Sequence, residues 1–283
     1  MEINMDEIVS KTDDYTVTFA TFNCIDYTKK CIDSLFESGI RPDQIVVVDN
    51  GSSDGTQEYL AQLDLGATIF NRENLSCGVA WNQGILARQS EWTIVMNNDV
   101  VVPPNFAERL IAFAKKQKLL LVSPSRIDGS MDYDYTKFVT NAQITTEEAI
   151  RYNSSNAVCM CIHWSLFIKI GFFTSNPTLL GFEDGLFYKQ IRNFDIRHAT
   201  TGSVWIHHFG SVTQDHLKMI LGKSRKDVIV KVNDRKLYGE SILERKIYRF
   251  KLKKNHKMWR KIELKKYGIS LHGTRVGNEF LWL

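Results

Sequence analysis

Four short apolar runs, each ending in polar residues and each separated from the next by a helical pattern, constrain this chain more than any other feature. Tyr15 to Asn23 (YTVTFATFN) is a β-branched and aromatic run, and Tyr27 to Gly39 follows with apolar residues at helical spacing and a glycine stop. Gln44 to Asn50 (QIVVVDN) is continuously apolar, as a strand buried on both faces requires. The loop GSSDGT comes next, where Asp54 can cap a helix over about Thr56–Leu63. ATIFN is a third strand, Ser76 to Gln89 a third helix, and Trp92 to Asp99 (WTIVMNND) a fourth strand. This alternation predicts a parallel α/β sheet, in which ligands sit at the carboxyl ends of the strands. Those ends hold Thr21-Phe22-Asn23, Asp49-Asn50-Gly51, Asn71 to Asn74 and Asn97-Asn98-Asp99, so four separate segments should meet along one edge.

Beyond Asp99 the pattern loosens. VVPPNF reads as a turn, FAERLIAFAKKQ as a helix and LLLVSP as a strand. Residues 126 to 155 read as a loop-rich excursion. AVCMCIHWSLFIKIG is strand then helix, a helix opens at Glu183-Asp184, and SVWIHHFGS is a strand running into two histidines. The 283 residues, 43% of them hydrophobic, suffice for one large core with an appendage. No run of about 18 uncharged apolar residues exists, so no membrane-spanning helix is expected. The N-terminus lacks the basic and apolar regions of a signal peptide. The cysteines (Cys24, Cys31, Cys77, Cys159 and Cys161) form no CxxC pair, and free thiols in a reducing cytoplasm are the expectation.

Charge is uneven. Between Lys223 and Lys266 there are 17 Lys and Arg against 5 Asp and Glu, so the rest of a chain of net charge +4 is acidic. From about Ile242 the basic stretch is interleaved with Ile, Phe, Met, Trp and Leu. A solvated helix face and docking on an anionic membrane surface both suit it, while nucleic acid or an oligomer contact suits it less.

The chemistry is narrowed by what is missing. Neither a Walker loop nor a GxGxxG after the first strand is present. A chain without them can hold a nucleoside diphosphate through an oxygen-liganded divalent cation at a strand end, and Asp99 is the candidate ligand.

VTFATFN, VVVDNGSSDGT, NRENLSCGVAWNQG, VMNNDVVV, GFEDGLFYKQIRN and HHFGS occur in that order over residues 15 to 240. In them the chain resembles a family 2 glycosyltransferase of GT-A fold, a Rossmann-like, mostly parallel sheet flanked by helices. VNDRKLYG (Val232 to Gly239) is similar to the family's closing segment. The resemblance implies that Thr21 and Asn23 line the nucleotide site with Phe22 near the base. It implies that Asp49 accepts from an imide N–H of uracil or thymine, and that Asn74, Gly78 and Asn82 border base, ribose and phosphate. Asn97-Asn98-Asp99 stands where the family has its DxD-type motif, with Asn97 in place of the first acid. Mn2+ or Mg2+ would then bind through Asp99 and the donor phosphates, with His208 completing the site, and weakly without nucleotide. Glu183-Asp184 matches the acidic pair of inverting members: Asp184 as the base, Glu183 toward acceptor or sugar. Where many relatives continue with a second acid and a basic residue, this chain has Leu186 and Gln190, with Arg192 nearby. Trp164, Phe172, Phe182 and Trp205 are candidates for an acceptor platform or for core packing.

The expected protein is thus a 1–240 GT-A domain with a basic helical extension over 241–283. It would move a sugar from a UDP or dTDP donor to a glycan or lipid-linked acceptor, from the cytoplasm or the inner face of a membrane, in surface polysaccharide synthesis. A nucleotidyltransferase lacks its basic Gly-rich loop here. A non-catalytic glycan-binding protein on a degenerate transferase fold is the other alternative.

Overall fold

β1 (Tyr15–Thr21), β2 (Ile45–Asp49) and β4 (Trp92–Asn97) form where β-branched and aromatic residues are densest, because such side chains pack well on a pleated surface. The computed structural model describes residues 14–174, 183–210, 239 and 241–283. β1 pairs in parallel with β2 on one side and β4 on the other, and β3 (Ala67–Phe70) adds in parallel outside β2. The crossovers are α1 (Ile25–Glu37), α2 (Thr56–Leu60) and α3 (Cys77–Ala87). The expected alternation therefore holds over this half, and every residue of β2 is buried.

Past β4 the sheet becomes mixed. β5 (Val100–Val101), α4 (Phe106–Gln117), β6 (Leu121–Gly129), α5 (Tyr135–Thr146), β7 (Ile150–Tyr152), β8 (Cys159–His163), α6 (Trp164–Ile170), α7 (Glu183–Asn193) and β9 (Ala199–His208) follow in order. α8 (Ile242–Tyr267), β10 (His272–Val276) and β11 (Glu279–Trp282) complete the described elements. Across the described residues the strands run β11-β10-β6-β8-β4-β1-β2-β3, with β9 beside β6 and the short β5 and β7 on β9. β8 lies antiparallel between β4 and β6, whereas β6 is parallel to both β9 and β10.

Two stretches differ from their sequence readings. Residues 126–155, expected as loops, contain the end of β6, then α5 and β7. α5 holds four Thr and a Val, poor helix formers, but Asp134 caps it by accepting from the Lys137 N–H, and Val139, Ala142 and Thr146 are buried. Tertiary packing there overrides propensity. The tail is helical only to Tyr267. Residues 272–282 form a hairpin that joins the main sheet, and the two residues at its tip, Gly277 (φ 53°) and Asn278 (φ 66°), are both left-handed. That is the geometry of a two-residue turn whose twist matches the strands.

One apolar cluster lies under α1 and α4, a second under α3, α6 and α7, and a third between α5 and the C-terminal hairpin. Leu35 of α1 and Phe106 and Leu110 of α4 are fully buried, each worth roughly 1.5–3 kcal/mol over exposure. These clusters fix the strands whose carboxyl ends carry the polar groups.

Candidate active site

β2 ends in Asp49, which is wholly buried. Its Oδ2 accepts from the N–H groups of Gly51 (3.1 Å) and Ser52 (3.0 Å) and from the Gln57 amide (2.7 Å). Its Oδ1 is buried without a partner among the described residues. A buried acceptor of this kind is costly unless something donates to it. Asp54 acts as the cap the sequence suggested, accepting from the Thr56 N–H and hydroxyl and from the Ile25 N–H at the start of α1. Burial opposes its ionisation, but these hydrogen bonds outweigh that and hold the carboxyl below its ordinary range.

The polar groups at the end of β1 mostly point into the protein. Thr21 is buried with its hydroxyl 2.9 Å from that of Thr28, and Asn98 donates to both, at 3.3 and 3.1 Å. Asn23, in the left-handed region at φ 55°, accepts from the Ser53 N–H at 2.9 Å through Oδ1, and its own N–H donates to Ser52. Asn23 thus braces the loop after β2, Thr21 and Asn98 tie the strand ends to Thr28 of α1, and Phe22 beside them is half-buried.

At the opening of α3, Asn74 accepts from the Ser76 N–H (3.0 Å). Ser76 is fully buried at φ 85°, ψ 159°, a conformation that costs a non-glycine residue of order 1–3 kcal/mol. Gly78 is where α3 meets α7: a Cβ there would stand 2.7 Å from Cγ of Glu183. Asn82 uses both ends of its amide on Phe173, donating to its carbonyl (2.8 Å) and accepting from its N–H (3.0 Å). That clamp fixes the chain just before residue 175.

Glu183 and Asp184 form the first turn of α7, where the helix dipole favours negative charge. Glu183 is buried against Gly78, and Asp184 is half-buried. Cys77 is exposed at the start of α3, and its thiol is pushed up to about 12, first by desolvation and then by the fields of Glu183, Asp184 and Asp99. Three carboxylates from two distant parts of the sequence therefore bear on one thiol at the start of α3.

Asp99 and His208 come together because β5 pairs with the end of β9, setting Val100 opposite His208. Asp99 Oδ1 lies 3.4 Å from His208 Nε2, and the Asn97 amide lies 3.4 Å from the same nitrogen. On its other side His208 Nδ1 donates to Asp128 Oδ1 at 2.9 Å. Burial alone would lower the His208 pKa, but the hydrogen bonds to Asp128 and Asp99 outweigh it and raise the value to about 9. His207 faces the other way, its Nδ1 2.9 Å from the Tyr133 hydroxyl, as strand alternation requires.

A carboxylate and an imidazole adjoining in this way are a donor set that fits a divalent cation. Among the described residues, no three His, Cys, Asp or Glu side chains form a metal-ligand group. Oxygens of a substrate and water would complete such a coordination shell.

Of the aromatic candidates, Trp205 is core, fully buried with its indole N–H on Thr146 at 2.9 Å. Phe172 stacks on Phe167, with centroids 5.2 Å apart, and Trp164 packs edge-on against both. Phe182 and most of the VNDRKLYG segment lie outside the described residues.

The sequence model of glycosyl transferase family 2 matches residues 16–172, more than half of the chain. The chain belongs to glycosyl transferase family 2. The match covers β1 to α6 and so includes Asp49, Gly78 and Asp99. Among curated members, a putative glycosyltransferase of Bacillus subtilis, EpsH, is 26% identical over 107 residues, 36% of this chain and 31% of that protein. The match therefore spans about a third of that relative's length. Among solved structures, the mannosyltransferase PcManGT of Pyrobaculum calidifontis, in complex with GDP-Man and Mn2+, shares the fold at a TM-score of 0.52 with 17% identity, over 70% of this chain and 57% of that one. GalNAc-T7 with UDP, GalNAc and Mn2+ gives a TM-score of 0.55 with 12% identity, over 70% and 44% of the two chains. The fold is of the GT-A type, a curled mixed sheet flanked by helices.

Two residues beside this candidate site carried no signal in the sequence reading. Asp128 ends β6 outside any motif, and His272 lies in the tail that reads as a helical extension. Gly277-Asn278 is the turn signal that could have revealed the hairpin.

Proposed function

We propose that the chain is an inverting glycosyltransferase that moves a sugar from a UDP or dTDP donor to a hydroxyl of a glycan or lipid-linked acceptor, in the synthesis of a surface polysaccharide. The observation that carries this reading is Asp99 beside His208 at the carboxyl edge of the sheet, with the Glu183-Asp184 turn of α7 packed on Gly78 at the α3 opening. The buried Asp49 Oδ1, without a partner among the described residues, supports a pyrimidine: an imide N–H would supply the missing donor in a charge-assisted bond.

Asp184 is the proposed base. An acceptor hydroxyl is a poor nucleophile until a carboxylate near the anomeric carbon takes its proton during attack. Glu183, packed on Gly78, would face acceptor or sugar. Asp99 and His208 would hold Mn2+ or Mg2+, with the imidazole favouring Mn2+. The ion, when bound, would neutralise the diphosphate as it departs. Asn97 can hydrogen-bond a ribose hydroxyl without adding charge, so little affinity for the ion is expected before the donor binds.

No helix among the described residues is long and apolar enough to cross a membrane. A peripheral position at the inner face of a membrane would suit a lipid-linked acceptor, and α8 supports it. Leu243 (66% exposed), Ile247 and Phe250 (71% exposed) present apolar groups to solvent, followed by the exposed Lys254, Lys261 and Lys265. Apolar groups beside cations suit an anionic bilayer surface.

A thermal-shift series of nucleoside diphosphates and their sugars, with and without Mn2+, tests the donor reading. A uridine or thymidine diphosphate should raise the melting temperature by mass action, and more so with Mn2+. No response to any of them would overturn it. Asp184→Asn should cut turnover by about 10²–10⁴-fold while leaving nucleotide binding intact, and unchanged turnover would remove Asp184 as the base.

A further inference from the structure

His208 belongs to a row of side chains that runs across three neighbouring parallel strands. In the register of β6 and β9, Asp128 stands opposite His208. In that of β10 and β6, Thr274 stands opposite Asp128 and His272 opposite Arg126. One oxygen of Asp128 accepts from His208 Nδ1 at 2.9 Å and the other from His272 Nε2 at 2.7 Å. Arg126 Nε adds a third contact at 3.0 Å, and the Thr274 hydroxyl donates to the Asp128 carbonyl. Every acceptor of this carboxylate is thus committed, and the hairpin residue His272 fixes its orientation from the side away from Asp99.

We propose that Asp128 and His272 are positioning residues that hold the His208 ring with Nδ1–H anchored and Nε2 turned toward Asp99, ready to bind a cation. An imidazole ligand needs its two nitrogens treated differently, one anchored as a donor and the other left with its lone pair free. Asp128 does the first, and His208 Nε2, 3.4 Å from Asp99 Oδ1, faces the carboxylate with which it would share a cation in place of a proton. His272 comes from the C-terminal hairpin, so that hairpin is part of the site's outer layer. The inference rests on the proposed role of Asp99 and His208 as metal ligands.

The test measures Mn2+ affinity in the presence of saturating UDP by electron paramagnetic resonance of free Mn2+. Metal-free UDP affinity and melting temperature are followed alongside. Asp128→Asn should raise the Mn2+ dissociation constant about 10–100-fold and leave metal-free UDP binding unchanged. His272→Ala should raise it about tenfold, and His272→Gln, whose amide can still donate to Asp128, should recover most of the loss. A merely structural role would lower the melting temperature without this pattern of loss and rescue. Asp99→Asn serves as the control. If it weakens Mn2+ binding while Asp128→Asn and His272→Ala do not, the positioning role is overturned and the metal site stands. If none of the three weakens it, both readings fall. Should Asp128→Asn not fold, the two His272 variants decide by the same criterion.

Discussion

Gly78 shows how a single absent side chain can carry a site. α7 brings Glu183 so close to α3 that a methyl group at position 78 would sit 2.7 Å from Glu183 Cγ. Gly78→Ala should therefore displace the first turn of α7, at about 1–3 kcal/mol of overpacking and with a fall in turnover larger than the loss of stability explains. Denaturant unfolding and kinetics on the same preparation check this, and wild-type kcat in the variant would sink it. Asn82 teaches the opposite lesson. Its neighbours in the sequence suggest ligand contact, but both ends of its amide bind the Phe173 backbone. A motif names the residues that gather at a site without telling which of them face the ligand and which brace the loops. Thr21, Asn23 and Asn98 are of the bracing kind here. Asp49 braces its loop through one oxygen, committed to Gly51, Ser52 and Gln57, and in the proposed function would meet the donor base with the other.

At the scale of elements, α8 is the part whose sequence and structure need most care to reconcile. Its inner side is held by Arg151 of β7, whose guanidinium grips Glu263 at 2.6 and 2.7 Å with both side chains buried. Glu263 also accepts from the Ser270 hydroxyl and the Leu271 N–H. Arg151→Met would leave that carboxylate buried without its counter-charge, and a loss of about 3–5 kcal/mol in urea unfolding is expected. Adding Glu263→Leu should return much of it, and equal stability of the two variants would argue against the pairing. The outer side should bind sedimenting vesicles of phosphatidylglycerol and phosphatidylcholine but not phosphatidylcholine alone. Ile247→Ser and Phe250→Ser should each weaken binding by about tenfold, and variants that bind like wild type would remove α8 as the docking face. The helix itself was legible from composition. The hairpin after it was not, because its strands are short and their partner β6 lies far away in the sequence. α5 was hidden for a different reason: its stretch, polar and rich in threonine, reads as loop until β9 is there to bury one side of it.

The stability of the whole molecule should respond to acid through its buried histidines. Burial, helped by the charge of Arg192, pushes His198 down to about 4, with Ser155 against its Nδ1 at 2.7 Å. The unfolded chain takes up that proton near pH 6.5 and the folded one only near pH 4. Folding stability therefore falls as pH drops through this window, by about 3 kcal/mol from this group alone. His198→Gln should remove that part of the pH dependence, so parallel stability curves for variant and wild type would contradict the assignment. The parallel half of the sheet and the polar strand ends were readable because each lies within a local pattern of period two or 3.6. The outer layer of the site was not, because Asp128 meets His208 and His272 across 80 and 144 residues.

That last separation has a consequence for how the protein is made. β6 receives β10 along residues 126–129 only after residues 272–276 have emerged from the ribosome. Until then a strand edge stands bare beside a carboxylate that lacks its hairpin donor, and bare edges are templates for pairing with other chains. The period of greatest danger is therefore the interval between the making of β6 and the arrival of the hairpin that covers residues 126–129.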